Sequence, residues 1–350
     1  MKKTGLWLLG LWLWALVQAA GVQVTLYPRF AEIRTPLRLE QGVYVWQPGE
    51  RVLKNLVEDL VWLSGVEVSR RVWRKGALWF FAEGDAATLH YLTRGLSAGV
   101  RYRLVLDRGT IAGWLRVRNA LDEPVEAQTL EFVSGSVPLG GRTAVAREVG
   151  VLAAKAAPAE EGFVGASGGV FRYRLARPVV LEPEVTEVPL FSAEVSPVFF
   201  WRYRGSFVRG DRIFFERGYR FTATGPLAAG TVDLFQKGVF LGRLDIPDRY
   251  PGEPVELGLG PATRARSERR VEVLTESREQ KRYRVTTTVK NLGEEPVRVE
   301  IEEHFSADAV ELVIEAGERI PRGYRIVFEL APGGERTYQY QVTLRYKKRP

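Results

Sequence analysis

The chain holds 350 residues, 45% hydrophobic and 26% charged, with a formal net charge of +8, a globular balance and not the composition of a disordered chain. It contains no cysteine, which excludes disulfides, thiolate metal sites and a cysteine nucleophile. With His90 and His304 as its only histidines, it cannot build a three-histidine zinc site, and it lacks an HExxH pair.

Residues 1–19 read as a signal peptide: Lys2 and Lys3 are followed by a Leu- and Trp-rich run from Leu6 to Val17 and by Val17-Gln18-Ala19-Ala20. The apolar run is shorter than the ~20 residues of a spanning helix, and Val17 with Ala19 suits cleavage after Ala19; retention as an anchor is the alternative. This predicts an exported protein, periplasmic, outer-envelope or secreted, with no transmembrane span after the leader is removed. Losing Lys2 and Lys3 leaves 48 basic residues against 42 acidic ones, a modest +6. The basic residues are 40 Arg and 10 Lys, and Asn occurs three times, a composition that fits a thermophile or a GC-rich genome.

Residues 20–85 read as a small β or α+β unit. Val22–Tyr27 and Leu37–Trp46 are strand-like, and Leu53, Leu56, Val57, Leu60 and Val61 at helical spacing predict a helix over Leu53–Leu63. Short strands then flank the turn Arg74-Lys75-Gly76. Residues 86–265 form the expected central β domain, with alternation in Tyr102–Leu106 and Trp114–Arg118 placing one face on a core and the other in water. An Ala/Gly-rich stretch, 140–169, interrupts it and reads as a long loop with one helical turn at Ala153–Ala157. Residues 266–350 are expected to form a C-terminal β-sandwich. Closely spaced turns at Gly225-Pro226, Lys237-Gly238, Pro251-Gly252 and Pro332-Gly333-Gly334 favour a mainly β fold of antiparallel, immunoglobulin-like sandwich units.

One pattern occurs twice. Val117-Arg118-Asn119, Asp122-Glu123-Pro124-Val125 and Glu131 return as Val289-Lys290-Asn291, Glu294-Glu295-Pro296-Val297 and Glu303. In both, a strand runs into Asn, turns, and restarts at Pro-Val, where the missing proline N–H is tolerated. Convergence on a common hairpin and duplication both explain this.

The run Gly225-Pro226-Leu227, Gly230, Phe235, Gly238, Phe240-Leu241-Gly242 and Tyr250-Pro251-Gly252-Glu253 resembles the family catalogued as domain of unknown function 4139, which includes mucoidy-inhibitor-like proteins. The likeness continues through Tyr283–Tyr340, with Val289-Lys290-Asn291 and Leu330–Glu335, and residues 22–46, beginning Val22–Pro28, resemble the small β unit preceding that domain. The coiled-coil insertion of many members is missing, the usual Trp and Pro of the first strand are replaced around Gly99–Tyr102, and Pro261 stands where an acidic residue is common. The resemblance implies an architecture and no catalytic residues.

Gly165-Ala166-Ser167-Gly168-Gly169 fits G-x-S-x-G, but no core strand leads into it, no helix follows, and Leu89-His90-Tyr91 is unlike a protease histidine loop. Ser167 is expected to sit in a linker, with a hydrolase as the least favoured reading. Glu302, Glu303 and His304 read as an exposed polar face, and Asp245 and Asp248 as turn residues, not as metal sites. The basic–aromatic clusters are less trivial. Arg70, Arg71, Arg74 and Lys75 flank Trp73; Arg202 and Arg204 alternate with Trp201 and Tyr203; Arg278, Lys281, Arg282 and Arg284 surround Tyr283. Interleaved cations and aromatics can stack on bases or sugars while neutralising anions, whereas simple alternation would put the aromatics in a core and pair the Arg with Glu. The expected function is a non-enzymatic binding or assembly module of the envelope or extracellular space, without cofactor, contacting a protein or glycan. The alternative is a polyanion binder for extracellular DNA or acidic polysaccharide, contacting it through Arg70, Arg71, Arg74, Arg202, Arg204, Arg282 and Arg284.

Overall fold

A computed structural model describes residues 21–40, 42–135, 137, 162–167, 170–175 and 177–347. The leader expected at 1–19 and most of the 140–169 stretch, with its helical turn, lie outside the described residues. Of the described residues, 68% are in strands and 2% in helix, as the alternating patterns predict. Two compact units form: one runs to Glu194 and takes in Gly225–Pro251, and the other holds Val195–Thr224 and resumes at Gly252.

The first unit opens with β1 (Gln23–Leu26), β2 (Ala31–Arg38), β3 (Val43–Trp46), helix α1 (Glu50–Asn55), β4 (Leu56–Ser64), β5 (Glu67–Arg74), β6 (Ala77–Glu83) and β7 (Ala86–Thr93). It continues with β8 (Leu96–Val105), β9 (Thr110–Asn119), β10 (Val125–Ala127), β11 (Thr129–Val133), β12 (Gly162–Ser167), β13 (Val170–Leu175), β14 (Val179–Leu181) and β15 (Glu184–Glu194). The chain then enters the second unit through β16 (Val198–Ser206) and β17 (Glu216–Thr222), and returns to the first for β18 (Gly230–Gln236) and β19 (Val239–Ile246). The second unit is completed by β20 (Pro254–Pro261), β21 (Ala265–Glu276), β22 (Gln280–Asn291), β23 (Val297–His304), β24 (Ala309–Ile314), β25 (Glu318–Ile320), β26 (Gly323–Leu330) and β27 (Glu335–Arg345).

The sheet orders show that the two units share a common set of strand pairings. The first has β12-β13-β11-β1-β2-β7-β4 and β15-β9-β8-β18-β19; the second has β25-β26-β23-β16-β17-β20 and β24-β27-β22-β21. With β1, β2, β7, β8, β9, β11, β13 and β15 matched to β16, β17, β20, β21, β22, β23, β26 and β27, the pairings among these strands coincide, including the parallel pairs β1–β11 and β16–β23, whereas β18, β19 and β24 have no counterpart. The repeated asparagines sit at matching points. Asn119 Nδ2 donates to the Glu123 and Leu181 carbonyls at 3.1 and 2.8 Å, while its Oδ1 accepts from Leu121 N–H. Asn291 Nδ2 donates to Glu295 at 2.9 Å and to Leu330 and Ala331, while its Oδ1 accepts from Gly293 N–H. The registers agree as well: Val125 faces Leu181 and Val297 faces Leu330. Both amides are buried, so each satisfies backbone groups that water cannot reach.

The second unit is a sandwich with one shared core. Trp201, Val297, Val299, Ile301, Ile326 and Phe328 from the six-stranded sheet meet Tyr283, Val285, Leu312, Tyr340 and Val342 from the four-stranded sheet. In the first unit, β3, β6 and β5 form an additional three-stranded layer, whose Leu78, Phe80 and Ala82 pack on Leu37, Leu63 and Leu89 of the seven-stranded sheet. Two hairpins turn on Lys75-Gly76 (φ 50° and 77°) and Lys237-Gly238 (φ 49° and 79°). Positive φ at both central residues gives the turn whose twist matches the strands, with glycine taking one position at no steric cost.

Three expectations are corrected. The helix predicted over Leu53–Leu63 ends at Asn55, and β4 replaces the rest. A register shift between Leu56 and Val61 lets both reach the same core, so a bulged strand imitates helical spacing. The 20–85 unit is not separate, because β2 and β7 on either side of that boundary pair over eight positions, from Ala31↔Thr93 to Arg38↔Ala86. The 86–265 domain likewise joins strands of both units, and the cut at 266 falls inside β21.

Candidate functional site

The predicted arginines are divided between the two units, and within the second unit they leave different faces. In the first unit, the Arg70 guanidinium lies 4.2 Å from the Phe81 ring centre, Arg71 donates to the Val61 carbonyl at 2.8 Å, and Arg74 ends the exposed hairpin. In the second unit, Arg202 and Arg204 leave the outer face of the six-stranded sheet, whereas Arg282 and Arg284 leave that of the four-stranded sheet. The core lies between these faces, so the two pairs point in opposite directions. Most are also engaged: Arg202 with Glu256 and Glu300 at 2.7 and 3.2 Å, Arg204 with Glu302, Arg284 with Glu272, and Arg282 with Gln341. Alternation with a core aromatic explains the clusters around Trp201 and Tyr283, whereas Trp73 is itself exposed.

Arg202, Arg220, Glu256 and Glu300 form a network on that outer face. Burial works to raise the Glu300 carboxyl, but the hydrogen bonds and charges of Arg220 and Arg202 outweigh it and bring it from the ordinary 4.5 down to about 2. A depressed folded-state value stabilises the fold above the ordinary carboxylate range and loses that contribution as pH falls through the folded value. Acid titration should therefore lower the wild-type unfolding midpoint between pH 4.5 and about 2. A Glu300→Gln variant, already destabilised at neutral pH, should lose less over the same window; equal losses would contradict this assignment.

The remaining sequence candidates separate. Glu302 and His304 share an exposed face and bond each other at 3.0 Å, while Glu303 points into the core. Asp248 accepts from the Ala229 N–H at 2.7 Å and from Ser134, a loop-fixing role, and Asp245 lies exposed on β19. Ser167 is corrected from a linker to the last residue of β12, opposite Val170. His90, the base that Ser167 would require, is held instead by Ser64 and Glu32.

A surface absent from the sequence reading lies on the outer face of the five-stranded sheet. Core residues Tyr102, Leu104, Leu115, Val232 and Leu234 are buried, so their alternating neighbours Arg103, Trp114 and Phe235 face outward. The Arg103 guanidinium lies between two rings, 5.7 Å from Trp114 and 5.2 Å from Phe235. Phe240 continues the row, its ring 5.5 Å from that of Phe235. Val239, Phe240 and Leu241 on edge strand β19 are 61%, 52% and 37% exposed. Arg103 makes no ion pair among the described residues, unlike Arg101 and Arg243, which share Asp233. Gly230 permits this assembly, since a Cβ there would meet the Val100 carbonyl oxygen at 2.2 Å and push β18 from β8. Arg118, Arg116, Arg51 and Ser97 line a groove of about 670 Å³ on the same unit.

No helix among the described residues is long and apolar enough to cross a membrane. No family model and no curated protein matches the chain, so the likeness to the domain of unknown function 4139 family rests on its turns alone.

Proposed function

We propose that the protein is an exported β-sandwich binding module that engages an acidic glycan through the outer face of the five-stranded sheet. The observation that carries this reading is the row Trp114, Arg103, Phe235 and Phe240 across four adjacent strands. Flat aromatic faces suit the C–H faces of sugar rings, and a guanidinium held between two rings without a carboxylate partner is free to meet a uronate. Exposed apolar side chains clustered on an edge strand also mark a contact surface more than a solvated one. Export rests on the leader at 1–19.

Few free cations contribute, so binding should depend only weakly on salt. Titration of the mature chain with an alginate oligosaccharide between about 50 and 200 mM salt should give a shallow slope, unlike the steep one of a protein neutralising many anions. Trp114→Ala combined with Phe235→Ala should weaken binding about tenfold or more, ~1.4 kcal/mol at least. Equal affinity in the variant, or no binding by the wild-type chain, contradicts the reading.

A further inference from the structure

Glu32, His90 and Ser64 stand on β2, β7 and β4, three consecutive strands of the seven-stranded sheet. His90 faces Arg34 across one ladder and Trp62 across the other. Glu32 and Ser64, each two residues along from those partners, therefore lie on the same side of the sheet as His90. His90 Nδ1 is 2.9 Å from Glu32 Oε1, and His90 Nε2 is 2.7 Å from Ser64 Oγ. A carboxylate oxygen only accepts, so Nδ1 carries the proton and Nε2 offers its lone pair to the Ser64 hydroxyl. The Trp62 ring stacks on the imidazole at 4.7 Å with planes 14° apart, which fixes its orientation. Glu32 and His90 are buried, whereas Ser64 is half-buried at the end of an edge strand. Gly65 follows at once, its φ of 84° turning the chain away.

We propose that these three side chains form a nucleophile–base–carboxylate relay that hydrolyses carboxylic esters, an activity separate from glycan binding. The geometry meets the two tests of such a relay: base within hydrogen-bond reach of the nucleophile, and base oriented by a third group. Ser64 Oγ attacks the ester carbonyl carbon as its proton passes to His90 Nε2. The bond from that carbon to the alkoxy oxygen then breaks, and the departing alkoxide takes the proton from Nε2, leaving Ser64 acylated. Water attacks the acyl carbon and gives a proton to Nε2; Ser64 Oγ departs and recovers that proton. The products are a carboxylic acid and an alcohol. Glu32 is a positioning residue, holding the tautomer and stabilising the imidazolium. In this relay the N–H of Gly65, directly after the nucleophile, is assigned as the backbone donor to the developing oxyanion. Esters fit better than amides because an alkoxide leaves with less assistance from the general acid than an amine does.

The test uses the full mature chain with two probes, p-nitrophenyl acetate and a fluorophosphonate. The expected result is turnover of the ester and a phosphonyl adduct mapped by mass spectrometry to the peptide carrying Ser64. Ser64→Ala should lose both with an unchanged unfolding midpoint, and His90→Gln should slow labelling about a hundredfold or more. Glu32→Gln should lower kcat with KM unchanged, a split that a purely structural role would not produce. No adduct on the wild-type chain, an adduct on a different serine, or full turnover in Ser64→Ala overturns the proposal.

Discussion

Glu303→Ala is expected to cost the second unit about 3–5 kcal/mol, a large part of the ~5–15 kcal/mol that a typical domain has in total. The side chains of Glu303 and Arg269 are both fully buried, with Arg269 Nη2 2.8 Å from Glu303 Oε1. The hydroxyls of Tyr324 and Tyr340 donate to Glu303 Oε2 at 2.8 and 2.7 Å. Removing the carboxylate leaves a guanidinium inside an apolar core with no counter-charge, and two tyrosine hydroxyls lose their acceptor. Replacing both charges with apolar side chains, as in Arg269→Met with Glu303→Leu, should cost far less than the two single changes added together, because no charge is stranded. Urea unfolding of the three variants measures this. A single-variant loss below about 1 kcal/mol would mean that water reaches the pair.

Arg202→Glu should be the second most damaging change, at about 2–5 kcal/mol, because it removes a partner from Glu300 and sets three carboxylates together. Arg202 and Glu300 are 20% and 5% exposed in their side chains, so solvent screens them little. Arg204→Glu, only two residues away, should cost under about 1 kcal/mol, since its side chain is 62% exposed. Thermal unfolding of the two variants separates these outcomes. Similar midpoints would show that the network around Glu300 contributes no more than a surface ion pair.

Period-two alternation made the strands around Tyr102, Trp114, Trp201 and Tyr283 legible, because each has one face on a core. The Asn119 and Asn291 hairpins were legible as well, since the amide, the turn and the proline that restarts the strand are all local. Strand β4 was not, because its bulge shifts the core residues to helical spacing. The unit boundaries failed for a different reason. Pairings such as β2 with β7, or β18 with β8, join segments far apart in the chain, and nothing near residues 85, 224 or 251 announces them. The candidate sites share that difficulty. Arg103, Trp114 and Phe235 come from β8, β9 and β18, and Glu32, His90 and Ser64 from β2, β7 and β4. Each residue taken singly reads as an ordinary strand position. Clusters that were visible in the linear chain, such as Arg202 and Arg204, proved to be the outward half of an alternating strand, paired with glutamates on neighbouring strands.

Oxidative footprinting of the mature chain with and without saturating alginate oligosaccharide tests the glycan-binding face most directly. Modification of Trp114, Phe235 and Phe240 should fall sharply in the bound state, while exposed Phe214 and Val313 in the second unit remain as reactive as before. Protection confined to the second unit, or no change at Trp114 and Phe235 under saturation, would contradict the assignment of the five-stranded sheet as the binding face.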